Sequence, residues 1–263
     1  MRSVTISIVT PTLNSERFFG ATLSSIHDNV PSSVDVQHIV VDGGSSDRTV
    51  EMAQMHDCEI VEGEDKGLYD AMNIGIRRAE GDIVAILNSD DILLDETLST
   101  VGAWFRNSGR RSGWLVGGVR WIDAASQTLA ELGAPPSWLR AGVLASLGWN
   151  CIHHGATFMT REYCSKVGEY DITYSLAADY EFLVRALMIQ PYDRINQTLY
   201  GFRWHGQNAT ASGPDVLRKE GQRIAAAYGP RSALLGSAYR TGLRAWMNAA
   251  NPRWFAAKKL KSW

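Results

Sequence analysis

This chain of 263 residues has little with which to crosslink itself or to cross a membrane. Cysteine is scarce: Cys58, Cys151 and Cys164 are scattered, and none forms a Cys-x-x-Cys pair. An odd, dispersed count argues against a disulfide framework and for a reducing, cytoplasmic location. The sequons at Asn196 and Asn208 then carry no meaning for glycosylation. No apolar run approaches the ~20 residues needed to span a bilayer. The N-terminus runs almost at once into Thr5-Ile6-Ser7-Ile8-Val9, too short and too rich in Ser and Thr for a signal-peptide core. Gly-x-Gly-x-x-Gly and Gly-x-x-x-x-Gly-Lys-Ser/Thr are both missing, which removes the usual warrants for a dinucleotide site or a P-loop. Repeats and low-complexity segments are absent too.

Acidic charge is missing from one region. Residues 231–263 hold seven basic residues and no Asp or Glu. Subtracting those seven from 26 leaves 19 basic against 28 acidic groups, or −9, in the first 230 residues. The asymmetry points to a basic tail with its own partner. The net charge of −2 gives no reason to expect a nucleic-acid partner. Apolar content of 45% and charged content of 21% suit a globular chain with a substantial core.

The first hundred residues alternate strand and helix. Strands are expected at Thr5–Val9, Val36–Val41, Cys58–Val61 and Ile83–Leu87. Between them lie helical stripes: Phe19, Leu23, Ile26 and Val30, then Asp47 to Met55, then Leu68 to Ala79. A further stripe, Leu94, Leu98, Val101 and Phe105, follows. Apolar strands in repeated β–α units predict an α/β fold, a mostly parallel central sheet with helices on both faces. Further on, strands are expected at Trp114–Trp121, Ala156–Thr160 and Ile195–Trp204, with helices from Pro135–Pro136 to Leu147 and over Ala178–Met188.

The polar residues gather where such strands end. Ile83–Leu87 delivers Asn88-Ser89-Asp90-Asp91 into a loop, where open α/β sheets bind ligands. Acidic oxygens there suit a hard cation, which in turn suits a diphosphate; an acidic turn capping the next helix is the plainer alternative. The second strand ends in Asp42-Gly43-Gly44-Ser45-Ser46-Asp47, close to Pro11-Thr12-Leu13-Asn14 after the first. Asp42 reads as a ligand contact and the two glycines as a tight turn.

Four motifs carry a resemblance: Ile-Val-Thr-Pro-Thr-Leu-Asn, Val-Asp-Gly-Gly-Ser-Ser-Asp-Arg-Thr, Lys-Gly-Leu-Tyr-Asp-Ala-Met-Asn-Ile-Gly and Leu-Asn-Ser-Asp-Asp. In this order across residues 6–91 they resemble the family 2 glycosyltransferases of GT-A fold. A weaker similarity to bacterial polysaccharide and O-antigen enzymes continues to about residue 210, through His154-Gly155-Ala156-Thr157-Phe158 and Ala178-Asp179-Tyr180-Glu181. The resemblance implies a transferase domain over 1–230, with a nucleotide-sugar half (1–105) and an acceptor half (106–230), then a helical C-terminal extension and tail (231–263). Thr10, Pro11 and Asn14 would line the nucleotide pocket, and Asp42 would bind the base, usually uracil. Asp70 and Asn73 would approach the sugar-phosphate, with Asn88, Ser89 and Asp90 at the place of Asp-x-Asp. Asp90 and Asn88 would hold Mg2+ or Mn2+, with His205 as a late metal or phosphate contact. Asp179 would be the general base, and His154 is assigned to the acceptor side.

Two departures stand out. Asn88 replaces the first Asp of Asp-x-Asp, and Ala178 replaces the acidic neighbour of the base. Tyr200 stands where processive enzymes carry the Gln of Gln-x-x-Arg-Trp. The expected activity is therefore inverting, non-processive transfer from a nucleotide sugar to a glycan or lipid-linked acceptor. A silent nucleotide-sugar-binding scaffold and a nucleotidyltransferase remain as alternatives. His153 and His154, placed on a strand, would point to opposite faces, and His153 is given no role. In the tail, Leu235, Ala238, Tyr239, Gly242, Leu243 and Trp246 share a helical face, with Arg240 and Arg244 off it. Basic residues mixed with Trp254 and Phe255 suit peripheral contact with the anionic inner face of the cell membrane.

Overall fold

The computed structural model describes residues 3–28, 30–63, 65–109, 112–208, 213–230 and 232–251. Nine strands form one sheet: β1 (Val4–Thr12), β2 (Val34–Asp42), β3 (Glu59–Glu62), β4 (Ile83–Ile86), β5 (Ile92–Leu93), β6 (Trp114–Ile122), β7 (Thr128–Leu132), β8 (Thr157–Thr160) and β9 (Asp193–Arg203). Their order is β3-β2-β1-β4-β8-β6-β9-β5, with β7 paired to β6. The first four strands are parallel, and β6 and β9 form another parallel pair. β8 joins these two parallel blocks through antiparallel ladders, and β5 and β7 add antiparallel edges.

The helices among the described residues are α1 (Glu16–His27), α2 (Thr49–Gln54), α3 (Leu68–Arg78), α4 (Thr97–Ser108), α5 (Ala141–Ser146), α6 (Arg161–Val167), α7 (Ala178–Ile189), α8 (Pro214–Tyr228) and α9 (Ala233–Ala250). None is long and apolar enough to cross a membrane. The core runs through both halves, from Ile6, Ile8 and Val9 on β1 to Trp114, Phe158 and Tyr163. A smaller apolar cluster, Phe19, Leu23, Val40 and Ala53, fills the space between α1, α2 and β2.

Several elements differ from the sequence expectation. The helix expected from Pro135–Pro136 begins only at Ala141. A proline pushes the residue before it out of the helical region, so Pro135 cannot open a helix ahead of Pro136. Residues Ile92–Leu93 pair with Gly201 and Tyr200 as a strand. α4 then starts at Thr97, after Glu96 at φ +63°. His154 lies in a 3₁₀ turn, His154–Ala156, before β8 rather than on a strand. α6, α8 and β7 were not anticipated, although Gly213-Pro214 is a recognisable helix start.

α9 also packs differently from expectation. Gly236, Leu243 and Met247 are buried, while Ala238, Tyr239 and Gly242 are exposed, so the inward face is rotated from the one expected. Arg240 donates to the Ser146 carbonyl at 3.2 Å, and the Asn251 amide oxygen accepts from Gly133 N at 2.8 Å. The helix therefore packs against the body of the molecule. The expectations for Arg231 and for Arg253 to Lys261 lie outside the described residues.

Candidate active site

The chain runs from β1 outward to β2 and β3, then returns to β4 on the other side of β1. That reversal leaves a crevice at the carboxyl ends of β1 and β4, the usual place for a ligand in an open α/β sheet. A cavity of about 1290 Å³ occupies it. Pro11 to Ser15, Asn88, Ser89 and Asp90 line one side, and Asn150, His153, His154 and Asp179 the other.

On the β1 side, local loop geometry builds the site. Asn14 has φ +49°, a left-handed conformation that Asn tolerates better than most residues. Its side-chain oxygen accepts from Ser46 N at 2.9 Å, and its own N–H donates to Ser45 Oγ at 2.8 Å. The loops after β1 and β2 are thereby tied together. Asp42 is buried and anchors the same tie. Its carboxylate accepts from Thr12 Oγ1 (2.9 Å), Ser45 Oγ (2.6 Å), Ser45 N (2.7 Å) and Gly44 N (3.0 Å).

Four residues expected at the donor, Thr10, Asp42, Asp70 and Asn73, are engaged elsewhere and are not among the cavity-lining residues. The Thr10 hydroxyl sits 2.9 Å from His38 Nε2 on a buried sheet face. Asn73 makes a reciprocal pair with the Tyr170 backbone, at 2.9 and 2.8 Å, and ties α3 to the segment before α7. Asp70 caps its own helix by accepting from Lys66 N at 3.0 Å. Asp42 stands behind Thr12, accepting one hydrogen bond from it and three from the Gly44–Ser45 turn.

The loop after β4 is more intricately held than the sequence suggested. Ser89 Oγ lies 2.8 Å from Ser15 Oγ. Asp91, which received no role, is the buried centre: it accepts from Tyr200 OH, from Arg203 N at 2.8 Å and from Asn88 Nδ2 at 3.3 Å. Burial, and then the neighbouring Asp90 carboxylate, push its carboxyl well above the usual range, against those donors. Asn88 is thereby oriented with its Oδ1 buried and without a hydrogen-bond partner. Beside it, the Asp90 side chain is 29% exposed and accepts from Asn208 Nδ2 at 3.4 Å. His205 Nε2 lies 2.9 Å from Asp90 Oδ2, and its ring packs on Phe18 at 4.8 Å. Asn88, Ser89, Asp90 and His205 thus come together along one part of the cavity. Asn208, which also accepts from His205 N at 3.0 Å, had given no catalytic signal.

On the far side Asp179 stands at the start of α7. Its Oδ1 accepts from Tyr69 OH at 3.2 Å and its Oδ2 from Asn150 Nδ2 at 3.3 Å. His154 Nδ1 is 3.4 Å from Oδ2. Burial disfavours the charge, but His154, the Tyr180 backbone N–H and Asn150 outweigh it and hold the carboxyl below its ordinary value. Asp179 is therefore ionised at neutral pH. The turn before α7 is fixed by Glu220 of α8, which accepts from Ser175, Leu176 and Ala177 N at 2.6 to 3.0 Å. His154 thus sits against Asp179 while lining the cavity. His153 lines it too, its ring 6.1 Å from Trp121 and 6.0 Å from Phe202.

An aromatic floor completes the site. Trp121, Trp149, Tyr200, Phe202 and Trp204 line the cavity, with Trp121 5.0 Å from Phe202 and 6.0 Å from Trp204. Gly155 lets the 3₁₀ turn pass under Tyr200, since a Cβ there would lie 2.2 Å from the ring. Arg244, Met247 and Asn248 of α9 close one edge, so the helical extension belongs to the site. The aromatic floor was missed because β6 and β9 are far apart in sequence and read separately as ordinary strands.

A curled α/β sheet with this switch-point cavity is the architecture of the GT-A glycosyltransferases. Residues 7–112 match the family model described as Glycosyl transferase family 2. An uncharacterised glycosyltransferase of Mycobacterium tuberculosis is 31% identical over 192 residues, 70% of each chain. A PGL/p-HBAD biosynthesis glycosyltransferase of Mycobacterium bovis is 31% identical over 193 residues, also 70% of each. The chain belongs to glycosyl transferase family 2 and is a glycosyltransferase. Its fold is similar to that of S. aureus TarS 1–349 in complex with UDP, with TM-score 0.62 and 16% identity over 95% of this chain and 72% of that one. It is also similar to the mannosyltransferase PcManGT from Pyrobaculum calidifontis in complex with GDP-Man and Mn2+, with TM-score 0.59 and 18% identity over 99% and 75%.

Proposed function

We propose that the chain is an inverting, non-processive transferase that moves a sugar from a nucleotide sugar, a UDP-sugar, to a glycan or lipid-linked acceptor in cell-surface polysaccharide synthesis. The observation that carries this reading is a single cavity with Asn88, Asp90 and His205 on one side and the ionised, hydrogen-bonded Asp179 on the other. An acceptor hydroxyl is a poor nucleophile until its proton is taken, and a positioned carboxylate contributes ~10²–10⁴-fold. Asp179 takes that proton as the hydroxyl oxygen attacks the anomeric carbon. The bond from that carbon to the diphosphate oxygen breaks, the nucleoside diphosphate leaves with the electron pair, and the configuration inverts.

The residues present fit a hard divalent cation, Mg2+ or Mn2+. Asn88 Oδ1 is buried without a partner, and Asp90 and His205 offer a carboxylate and an imidazole beside it. When bound, such an ion neutralises charge on the departing diphosphate. Asp91 and Tyr200 hold Asn88 in place for this. Tyr200, occupied by Asp91, stands at the Gln position of processive relatives and supports single-sugar transfer. The floor of Trp121, Phe202 and Trp204 suits the apolar face of a sugar ring in the acceptor. The relative named for PGL/p-HBAD biosynthesis supports a lipid-linked acceptor, and the basic residues after 251 would meet the membrane carrying it.

The test is a screen of UDP-, GDP- and dTDP-sugars for divalent-cation-dependent hydrolysis. Transfer to glycan and lipid-linked acceptors follows, with the anomeric configuration of the product read by NMR. A UDP-sugar preference and inverted product support the reading. Failure to bind or cleave any nucleotide sugar, or a product of retained configuration, overturns it. Co-sedimentation with anionic liposomes at low salt tests the membrane contact separately.

A further inference from the structure

We propose that His27, His38 and Cys58 form a second metal site, for Zn2+, separate from the nucleotide-sugar cavity. The three residues come from different elements: His27 from the last turn of α1, His38 from the middle of β2 and Cys58 from the residue before β3. Their ligand atoms nevertheless converge. His27 Nε2 is 3.0 Å from His38 Nδ1, Cys58 Sγ is 3.3 Å from His38 Nδ1, and Cys58 Sγ is 3.9 Å from His27 Nε2. None of these residues lines the cavity.

The spacing is that of three corners of a tetrahedron. Zinc bonds of ~2.0–2.1 Å to nitrogen and ~2.3 Å to sulfur place neighbouring ligand atoms about 3.3–3.6 Å apart. The three observed separations lie within about 0.4 Å of those edges. Two imidazoles and a thiolate select Zn2+ over Mg2+ or Mn2+, which prefer oxygen. Three protein ligands leave the fourth position to water on the half-exposed side, where the His56 ring lies 5.4 Å from that of His27.

Hydrogen bonding alone serves this cluster poorly. His38 Nε2 is engaged with Thr10 Oγ1 at 2.9 Å, the outer partner that orients a metal-binding histidine. With that nitrogen donating, Nδ1 has one lone pair facing both His27 Nε2 and the Cys58 thiol. A cation bonded to all three removes the competition. The His38 ring is buried, and the tautomer with Nε2 donating to Thr10 Oγ1 presents its Nδ1 lone pair to the other two residues. The ion displaces the Cys58 thiol proton, which passes to solvent on binding. The site would pin α1 to β2 and β3 beside the small apolar cluster of Phe19, Leu23, Val40 and Ala53.

Cobalt(II) is the probe, because a thiolate ligand gives it a charge-transfer band that oxygen and nitrogen ligands do not. The full chain, reduced and stripped of metal, is titrated with Co2+, and Zn2+ is then added to displace it. The expected result is a band saturating at one equivalent in the wild-type protein and in Asp90→Asn, abolished by Cys58→Ser and bleached by Zn2+. His27→Gln, at a half-buried helix end, keeps the fold and lowers Zn2+ affinity at least ~10-fold. Absence of the band from the wild-type protein overturns the proposal, as does its persistence in Cys58→Ser. Metal binding that vanishes in Asp90→Asn but is unchanged in His27→Gln overturns it as well.

Discussion

The two halves of the molecule build their sides of one cavity by different means. In residues 1–105 the site is made of short loops that leave parallel strands, and the loops after β1 and β2 hold each other. Asn14, Ser45, Ser46 and Asp42 bond one another across two neighbouring turns. In residues 106–230 the Asp179 side chain is held by segments other than its own. Asp179 is contacted by Tyr69 of α3, Asn150 of the loop after α5 and His154 of a 3₁₀ turn, while Glu220 of α8 braces its turn. The difference shows how sites become readable. A strand-end loop concentrates its donors and acceptors within a few residues, whereas a side chain held by remote elements leaves a single unremarkable letter in the chain.

The largest expected effect breaks the acceptor half alone. Asp179→Asn keeps the shape but removes the carboxylate proposed as the base, and transfer should fall ~10²–10⁴-fold with UDP-sugar affinity nearly unchanged. Single-turnover kinetics alongside calorimetry would check both. Equal losses in affinity and turnover would move Asp179 to the donor side. Next comes the donor half: Asp90→Asn should reduce turnover on the order of 10²-fold and remove its dependence on Mn2+ or Mg2+. Asn88→Asp should keep activity or tighten cation binding, because it adds charge at a hard-ion site. Full activity of Asp90→Asn in the presence of EDTA would exclude the metal assignment.

Tyr200→Phe probes the joint between the halves. It removes one of the donors to the buried Asp91 carboxyl group and should cost about 1–3 kcal/mol in urea denaturation. An unchanged midpoint would show that the tyrosine contributes nothing there. A smaller effect is expected at the aromatic floor, where Trp121→Ala should raise the acceptor KM up to ~10-fold and leave donor hydrolysis intact.

The subtlest test is a pH profile. Asp179 has a lowered carboxyl pKa, so its activity is present above the ordinary carboxylate range and is lost as pH falls through its depressed value. His154 is the foremost of the groups lowering it, so His154→Gln should move the acid limb of kcat/KM to higher pH. An unmoved limb would separate the two residues functionally.

The strand-end loops of the first half were legible because period and punctuation coincide there. Apolar strands of four to nine residues end in polar loops, and Asn88-Ser89-Asp90 lies in the expected place. Thr10 and Asn73 fall within the same motifs yet face the sheet and Tyr170, because a motif names a residue and not the direction of its side chain. Asp91 had no separate signal: its role depends on Tyr200 and Arg203, more than a hundred residues away. The pairing of Pro135 with Pro136 also misled, since proline at the first helical position and proline before proline have opposite consequences.

By itself, the chain determined the alternating β–α order, the strand ends that carry Asn14, Asp42 and Asp90, and the family, because these are written in local periodicity and contiguous motifs. The tertiary structure decided which carboxylates are buried and which face the cavity. It also decided how Trp121, Phe202 and Trp204 assemble into one floor, how α9 closes its edge, and how His27, His38 and Cys58 converge. Those outcomes depend on antiparallel joins and helix packing between segments distant in sequence, where solvent exclusion and hydrogen-bond direction are set only once the sheet has closed.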